Sequence, residues 1–162
     1  MSRLVHIFIA VTILWHSQVN ACSYVPGYGL FELSNVHAPM TGPAPDAPDV
    51  WLHSIERGSN DGDYASCSDA GVVSFGVDSA DSAKTFGFIF EVEYGEFPDA
   101  VFPDEALTPQ EYSDGSFRIH FFWLDLPRGH SRVSPIDARI SVRAISRTGV
   151  EGPKTYIDIK SR

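Results

Sequence analysis

The sequence predicts an all-β protein, an antiparallel sandwich of about seven strands behind an irregular N-terminal arm. Two observations carry this. From residue 50 onward, short runs rich in β-branched and aromatic residues recur between clusters of Gly, Pro, Asp and Ser, and several of them alternate apolar and polar side chains with the period of a half-buried strand. Between these runs nothing is long enough to be the crossover helix that a parallel sheet would need.

Residues 1–21 have the parts of an export signal. Arg3 supplies a basic start, an apolar run extends from Leu4 to Trp15, and the small residues Val19 and Ala21 precede a cleavage point. At about 1.5 Å per helical residue the apolar run reaches roughly 18 Å, short of the roughly 30 Å hydrocarbon core of a bilayer. No later stretch is apolar enough to span, so the expectation is a secreted or periplasmic protein without a transmembrane segment.

The residue after the signal carries two readings. Val19-Asn20-Ala21-Cys22 resembles the lipobox of bacterial lipoproteins, which implies a lipidated Cys22 and anchoring to the bacterial envelope. The polar residues His16, Ser17 and Gln18 separate the apolar core from the cysteine, and ordinary cleavage after Ala21 is the other reading. In that case Cys22 and Cys67, the only two cysteines, form a disulfide in an oxidising compartment. The loop so closed is worth on the order of 4 kcal/mol in the chain-entropy model.

Residues 22–49 form the arm. Pro26, Gly27 and Gly29 mark turns, residues 30–33 are a short strand candidate, and Pro39, Pro43, Pro45 and Pro48 favour extended backbone without ladder donors. The domain proper covers residues 50–162, with strands expected at 50–56, 71–77, 85–94, 116–124, 138–146 and 155–159. A helical turn is expected only within 104–111.

Alternation assigns the faces. Phe86, Phe88, Phe90 and Val92 point to one side and Gly87, Ile89, Glu91 and Glu93 to the other; likewise Ile140, Val142 and Ala144 oppose Arg139, Ser141 and Arg143. The expected core joins Phe88, Phe90, Val92, Phe117, Ile119, Phe121, Ile140, Val142 and Ala144. The continuous apolar run Phe121, Phe122, Trp123, Leu124 predicts either a strand covered on both sides or part of a contact surface.

The C-terminal stretch Ile140-Ser141-Val142-Arg143-Ala144-Ile145-Ser146-Arg147-Thr148-Gly149, then Gly152-Pro153 and a final strand, resembles the last hairpin of fibronectin type III domains. The resemblance covers about residues 46–160 and implies an immunoglobulin-like sandwich. Ala138 stands where such domains place a corner tyrosine, and 71–77 lacks their usual tryptophan, so the resemblance concerns architecture. It implies no particular activity. It does place the strand of Glu91 and Glu93 beside that of Arg139 and Arg143, which makes these four residues a candidate interaction surface, bordered by Arg118 and His120 if their strand shares the face.

Chemistry is sparse. Ser74 lacks the first glycine of a nucleophile elbow, and His37, His53, His120 and His130 have no paired-ligand spacing, so no catalytic, cofactor or metal site is expected. Asn60-Asp61-Gly62-Asp63 with Asp69 reads as a turn lacking the ligand order of a calcium loop, and 99–105 as an acidic loop. The formal net charge of −9, from which cleavage removes a further cation in Arg3, excludes a nucleic-acid partner. The function expected is that of an exported, non-catalytic binding, spacer or envelope-associated module of unknown ligand, with a protein or glycan partner in the envelope or outside the cell. The alternative is a small hydrolase or carbohydrate-active protein with a dispersed site such as His120, Asp125 and His130.

Overall fold

Eight antiparallel strands make up about half of the described residues, and the runs that alternate in sequence are the runs that pair. A computed structural model of the chain describes residues 25–34, 40–59, 67–97, 100–125 and 134–161. The strands are β1 (Tyr28–Leu30), β2 (Val50–Glu56), β3 (Ala70–Val77), β4 (Gly87–Tyr94), β5 (Leu107–Glu111), β6 (Phe117–Leu124), β7 (Ile136–Ile145) and β8 (Glu151–Ser161). They follow the order β2-β3-β6-β5-β4-β7-β8, with β1 added to β5. The outermost strands, β2 and β8, touch, so the sheet curls into a nearly closed barrel.

The curl comes from β5. Its first residue, Leu107, pairs with Phe88 of β4, while Gln110 and Glu111 at its other end pair with Arg118 and Phe117 of β6. One short strand therefore turns the corner between two groups of neighbours, β2-β3-β6 and β4-β7-β8. The arm seals this corner: β1 pairs Tyr28 with Pro109 and Leu30 with Leu107, and Gly27 bridges to His120 of β6.

The core is built from one parity of each strand, as alternation demands. Val73, Phe75, Phe88, Phe90, Leu107, Ile119, Phe121, Trp123, Ile136, Ile140, Val142 and Ile159 are all buried in a single cluster. Its centre is a set of rings: Phe75, Phe90 and Phe121 lie 5.0–6.0 Å apart in tilted or edge-on pairs, the arrangement that aromatic quadrupoles favour.

The structure corrects several expectations. Residues 104–111 hold no helical turn; 107–111 are strand β5, with Pro109 where β5 takes the short arm strand as its neighbour. The one α-helix among the described residues, α1 (Ala80–Thr85), instead lies between β3 and β4, so the strand expected from residue 85 begins at Gly87. Ser79 caps α1 by accepting the Ser82 N–H at 3.2 Å, an N-cap signal that polarity had hidden in a loop. The last strand begins four residues before residue 155, at Glu151. Within the expected core, Val92 is the exception: it is 42% exposed, because β4 has lost its β5 neighbour by that point. In the apolar run of β6, Phe121 and Trp123 face the core, Phe122 is half-buried and Leu124 exposed.

A buried ion pair ties the ends of β2 and β6. Arg57 donates through Nε and Nη2 to the two carboxylate oxygens of Asp125 at 2.7 and 2.8 Å, and the Gly58 N–H donates to the same carboxylate at 2.7 Å. Such a fork is the geometry in which arginine and carboxylate bond most strongly.

The signal at 1–21, Cys22, the Asn60 to Asp63 turn, His37 and His130 lie outside the described residues. Cys67 opens a 3-10 turn, Cys67–Asp69, ahead of β3. Among the described residues no helix is long and apolar enough to cross a membrane.

Candidate functional site

The four residues singled out from sequence meet on one face. β4 and β7 pair antiparallel with Glu91 opposite Ser141 and Ile89 opposite Arg143, so Glu91, Glu93, Arg139 and Arg143 all project outward from the same two strands. Arg143 reaches Glu91 at 2.6 Å. The strand beyond adds groups that sequence reasoning missed, because it began that strand too late: Glu151 meets Arg143 at 2.9 Å, and Lys154 bonds both Glu93 and Glu91. Further along, Arg139 forms a fork with Asp158 at 2.7 and 2.8 Å and lies over the Tyr94 ring, and Lys160 faces Asp137 at 3.4 Å. Arg118 and His120 are on β6 and do not share this face.

Electrostatically the face is closed upon itself. The Lys154 ammonium is held above its usual range by hydrogen bonds to Glu93 and then Glu91, and the Glu93 carboxyl is held below its usual range by Lys154 and then Ser141. Asp158 is likewise lowered by its bonds to Arg139. Each cation here already has a carboxylate, so an incoming charge would have to displace one. As a ladder across β4, β7 and β8 the network fixes register.

A few residues away, where β5 turns off toward β6, the edge of β4 is left without a strand. Phe88 is the last β4 residue paired with β5, and among the described residues no backbone hydrogen bond joins β4 beyond it to the loop that follows. The described residues of that loop, 95–97 and 100–106, fold back instead and leave a groove of about 360 Å³ against the strand edge. Phe90, Val92, Phe97, Val101 and Phe102 line it. Phe102 stacks on Phe90 and meets Phe97 edge-on at 5.3 Å, and Phe97 meets Trp123 at 5.7 Å, so the groove floor is the outer end of the core's ring cluster. Gly95 starts the loop with φ of +83°, a conformation that favours glycine, and its Cα is packed against the Asp137 carbonyl.

The groove's rim is acidic. Glu91, Glu96 and Asp104 line it, and among the described residues no cation does. Glu91 is spoken for by Arg143 and Lys154, whereas Glu96 and Asp104 make no ion pair among the described residues. The acidity of 99–105 is legible in the sequence; the aromatic lining is not, because Phe97 and Phe102 meet only once the chain is folded.

The dispersed site considered from sequence is not assembled by the described residues. His120 projects from the outer side of β6, against Gly27 and the Tyr112 ring, and burial, helped by Arg118 and His53, holds its imidazole below its ordinary pKa, with Glu56 pulling the other way. Asp125 is fully occupied by Arg57 and Gly58, and His130 lies outside the described residues. Ser74 sits buried in the middle of β3, directly opposite His120, with no hydrogen-bond partner for its hydroxyl. Among the described residues no three His, Cys, Asp or Glu side chains converge as metal ligands would. No protein-family model, curated protein or solved structure matches the chain.

Proposed function

We propose that the protein is an exported, non-catalytic binding module whose ligand site is the groove between the β4 edge and the 95–106 loop. The single observation that carries this is the groove itself: half-exposed rings continuous with a rigid core, placed where a strand has been withdrawn. Small-ligand and peptide sites have this character, an apolar, pre-formed concavity with a few polar groups at its mouth, and about 300 Å³ is the lower end of their usual size.

The architecture we infer is an immunoglobulin-like sandwich. Counting β2 to β8 as first to seventh, the first, second and fifth strands neighbour one another and so do the third, sixth and seventh, which is the partition of such sandwiches; the fourth, β5, pairs with both groups. Export rests on the signal at 1–21, and we propose a secreted or periplasmic mature chain starting at Cys22 with a Cys22 to Cys67 disulfide. Intact mass of the mature protein tests this part. A diacylglyceryl or triacyl adduct on Cys22 would replace the disulfide with a lipid anchor to the envelope.

Binding is tested with peptide and glycan arrays probed with wild type and with Val101→Asp, which places a charge in the groove, alongside a hydrolase panel. The expected result is array binding that Val101→Asp abolishes while the melting temperature stays near wild type, with no turnover. Turnover of a panel substrate that Val101→Asp leaves intact, or binding indifferent to the substitution, would overturn the reading.

A further inference from the structure

We propose that the groove takes an extended, basic segment of a partner protein, which adds as a strand to the open edge of β4 and seats an apolar side chain on Phe97, Val101 and Phe102. This deepens the binding reading above and rests on it.

Three independent observations converge on an extended peptide rather than a compact ligand. The groove runs along consecutive residues of one strand, Phe90, Glu91 and Val92, so its wall is a strand edge and not a sheet face. That edge has no strand or loop hydrogen-bonded to it among the described residues from Ile89 to Tyr94. Exposed strand edges bind extended peptides through main-chain hydrogen bonds, while pockets beside them choose alternate side chains. Val92, which has the parity of the core residues Phe88 and Phe90 yet is 42% exposed, is such a side-chain position on the β4 side.

Charge chooses the partner. Seven of the eight lysines and arginines among the described residues already hold a carboxylate within 4.0 Å, and the eighth, Arg147, lies over the Phe31 ring. The protein's formal net charge is −9, and two of the carboxylates that make no ion pair among the described residues, Glu96 and Asp104, stand at the groove mouth. A partner carrying Lys or Arg on either side of one apolar residue satisfies both the lining and the rim. An acidic partner would be repelled by the same groups.

The test uses synthetic peptides of about eight residues, a usual strand length, with a central Leu or Phe flanked by Lys and β-branched residues. They are titrated against the purified protein by fluorescence anisotropy and followed by amide NMR. Saturable binding is expected, weakening at least about tenfold between low and physiological salt, with shifts confined to 90–97 and 100–104. Glu96→Lys with Asp104→Lys, both at exposed positions, should weaken the Lys peptides at least about tenfold. N-methylation of alternate peptide backbone nitrogens should abolish binding, because it removes the strand donors.

Equal binding by Glu-flanked peptides, or indifference to N-methylation, would overturn the inference. Binding of a glycan or an uncharged apolar ligand in the groove, lost in Val101→Asp, would also overturn it while leaving the binding reading intact. Binding that requires Tyr94 and Tyr156 on the charged face, and not the groove, would overturn both.

Discussion

Removing Asp125 should be among the most damaging single substitutions in this protein. Its side chain has no exposed surface and that of Arg57 only 11%. Asp125→Ala deletes three hydrogen bonds at 2.7–2.8 Å and leaves a guanidinium in a nearly dry site, with only the Ser134 carbonyl to accept from it. Burying the pair cost desolvation of both ions when the protein folded, and the substitution recovers only half of it. Breaking a buried pair from one side costs about 3–5 kcal/mol. Replacing both partners together, Arg57→Met with Asp125→Leu, should cost less than either single change, because no charge is then stranded.

The same carboxylate sets an acid limit. Burial alone would raise its pKa, but the bonds from Arg57 and Gly58 outweigh burial and hold it below the ordinary carboxylate value. A group depressed in the folded state contributes stability that is complete above its unfolded pKa of about 3.9 and is lost as pH falls through the folded value. Urea midpoints measured from pH 7 downward should therefore decline gently below about pH 6.5, where the unfolded chain protonates His120 ahead of the folded one, and fall more steeply below about pH 5. Asp125→Asn should start lower and fall less steeply. An Asn variant with the wild-type midpoint at pH 7 and the wild-type acid limb would refute the reasoning.

Three further outcomes are expected. Phe90→Ala, at the centre of rings from Phe75, Phe102 and Phe121, should lower unfolding free energy by about 3–5 kcal/mol in chemical denaturation; a wild-type melt would exclude a common core. A double-mutant cycle on Glu91 and Arg143 should give a coupling of about 0.2–1 kcal/mol that shrinks in high salt, since the pair is partly solvated. Gly115→Ala, where a Cβ meets nothing, should cost about 1–2 kcal/mol for its positive φ alone; Gly95→Ala, whose Cβ would fall 2.1 Å from the Asp137 oxygen, should cost clearly more by the same denaturation assay.

What was legible in the sequence was whatever alternation encodes. Phe88 and Phe90 against Glu91 and Glu93, and Ile140 and Val142 against Arg139 and Arg143, give the correct faces where a strand has one covered and one wet side; Ile89, Ser141 and Ile145 are buried on the outer side all the same. Alternation fails at the ends of that condition. Val92 continues the apolar parity, but its neighbour strand has gone, and nothing local to residue 92 records where β5 turns. Residues 104–111 offer a helical turn at most, limited by Pro109; 107–111 form a strand because β1 and β6 pair with them. The charged face was half legible: its acids and arginines were found, while Lys154 and Glu151 were lost behind Pro153, a residue that argues against a strand except at an edge, which is where β8 lies. The groove was not legible at all: its lining falls within residues 90–104, but that this stretch folds against a strand edge depends on where β5 leaves β4, which nothing local records.

One structural economy links the corner of the sheet to the proposed site. A sheet this short can curl around a single core only if some strand serves both groups of neighbours, and β5, five residues long, does so by giving one pair to β4 and two to β6. The arm then takes the rest of β5, and Pro109, with no N–H to donate, sits where β1 lies beside it. The cost falls on β4, whose residues beyond Phe88 keep a bare edge. Bare edges invite copies of the same chain, and proteins blunt them with charge and bulges. This edge has both: Glu96 and Asp104, without ion pairs among the described residues, stand beside it, and a register shift falls between Val92 and Tyr94 against β7. Acidic groups, unlike lysines, do more than prevent pairing in a protein whose overall charge is negative. They repel a second copy of this chain and leave the edge open to a strand of opposite charge, so the device that guards the edge against itself also selects the partner it admits.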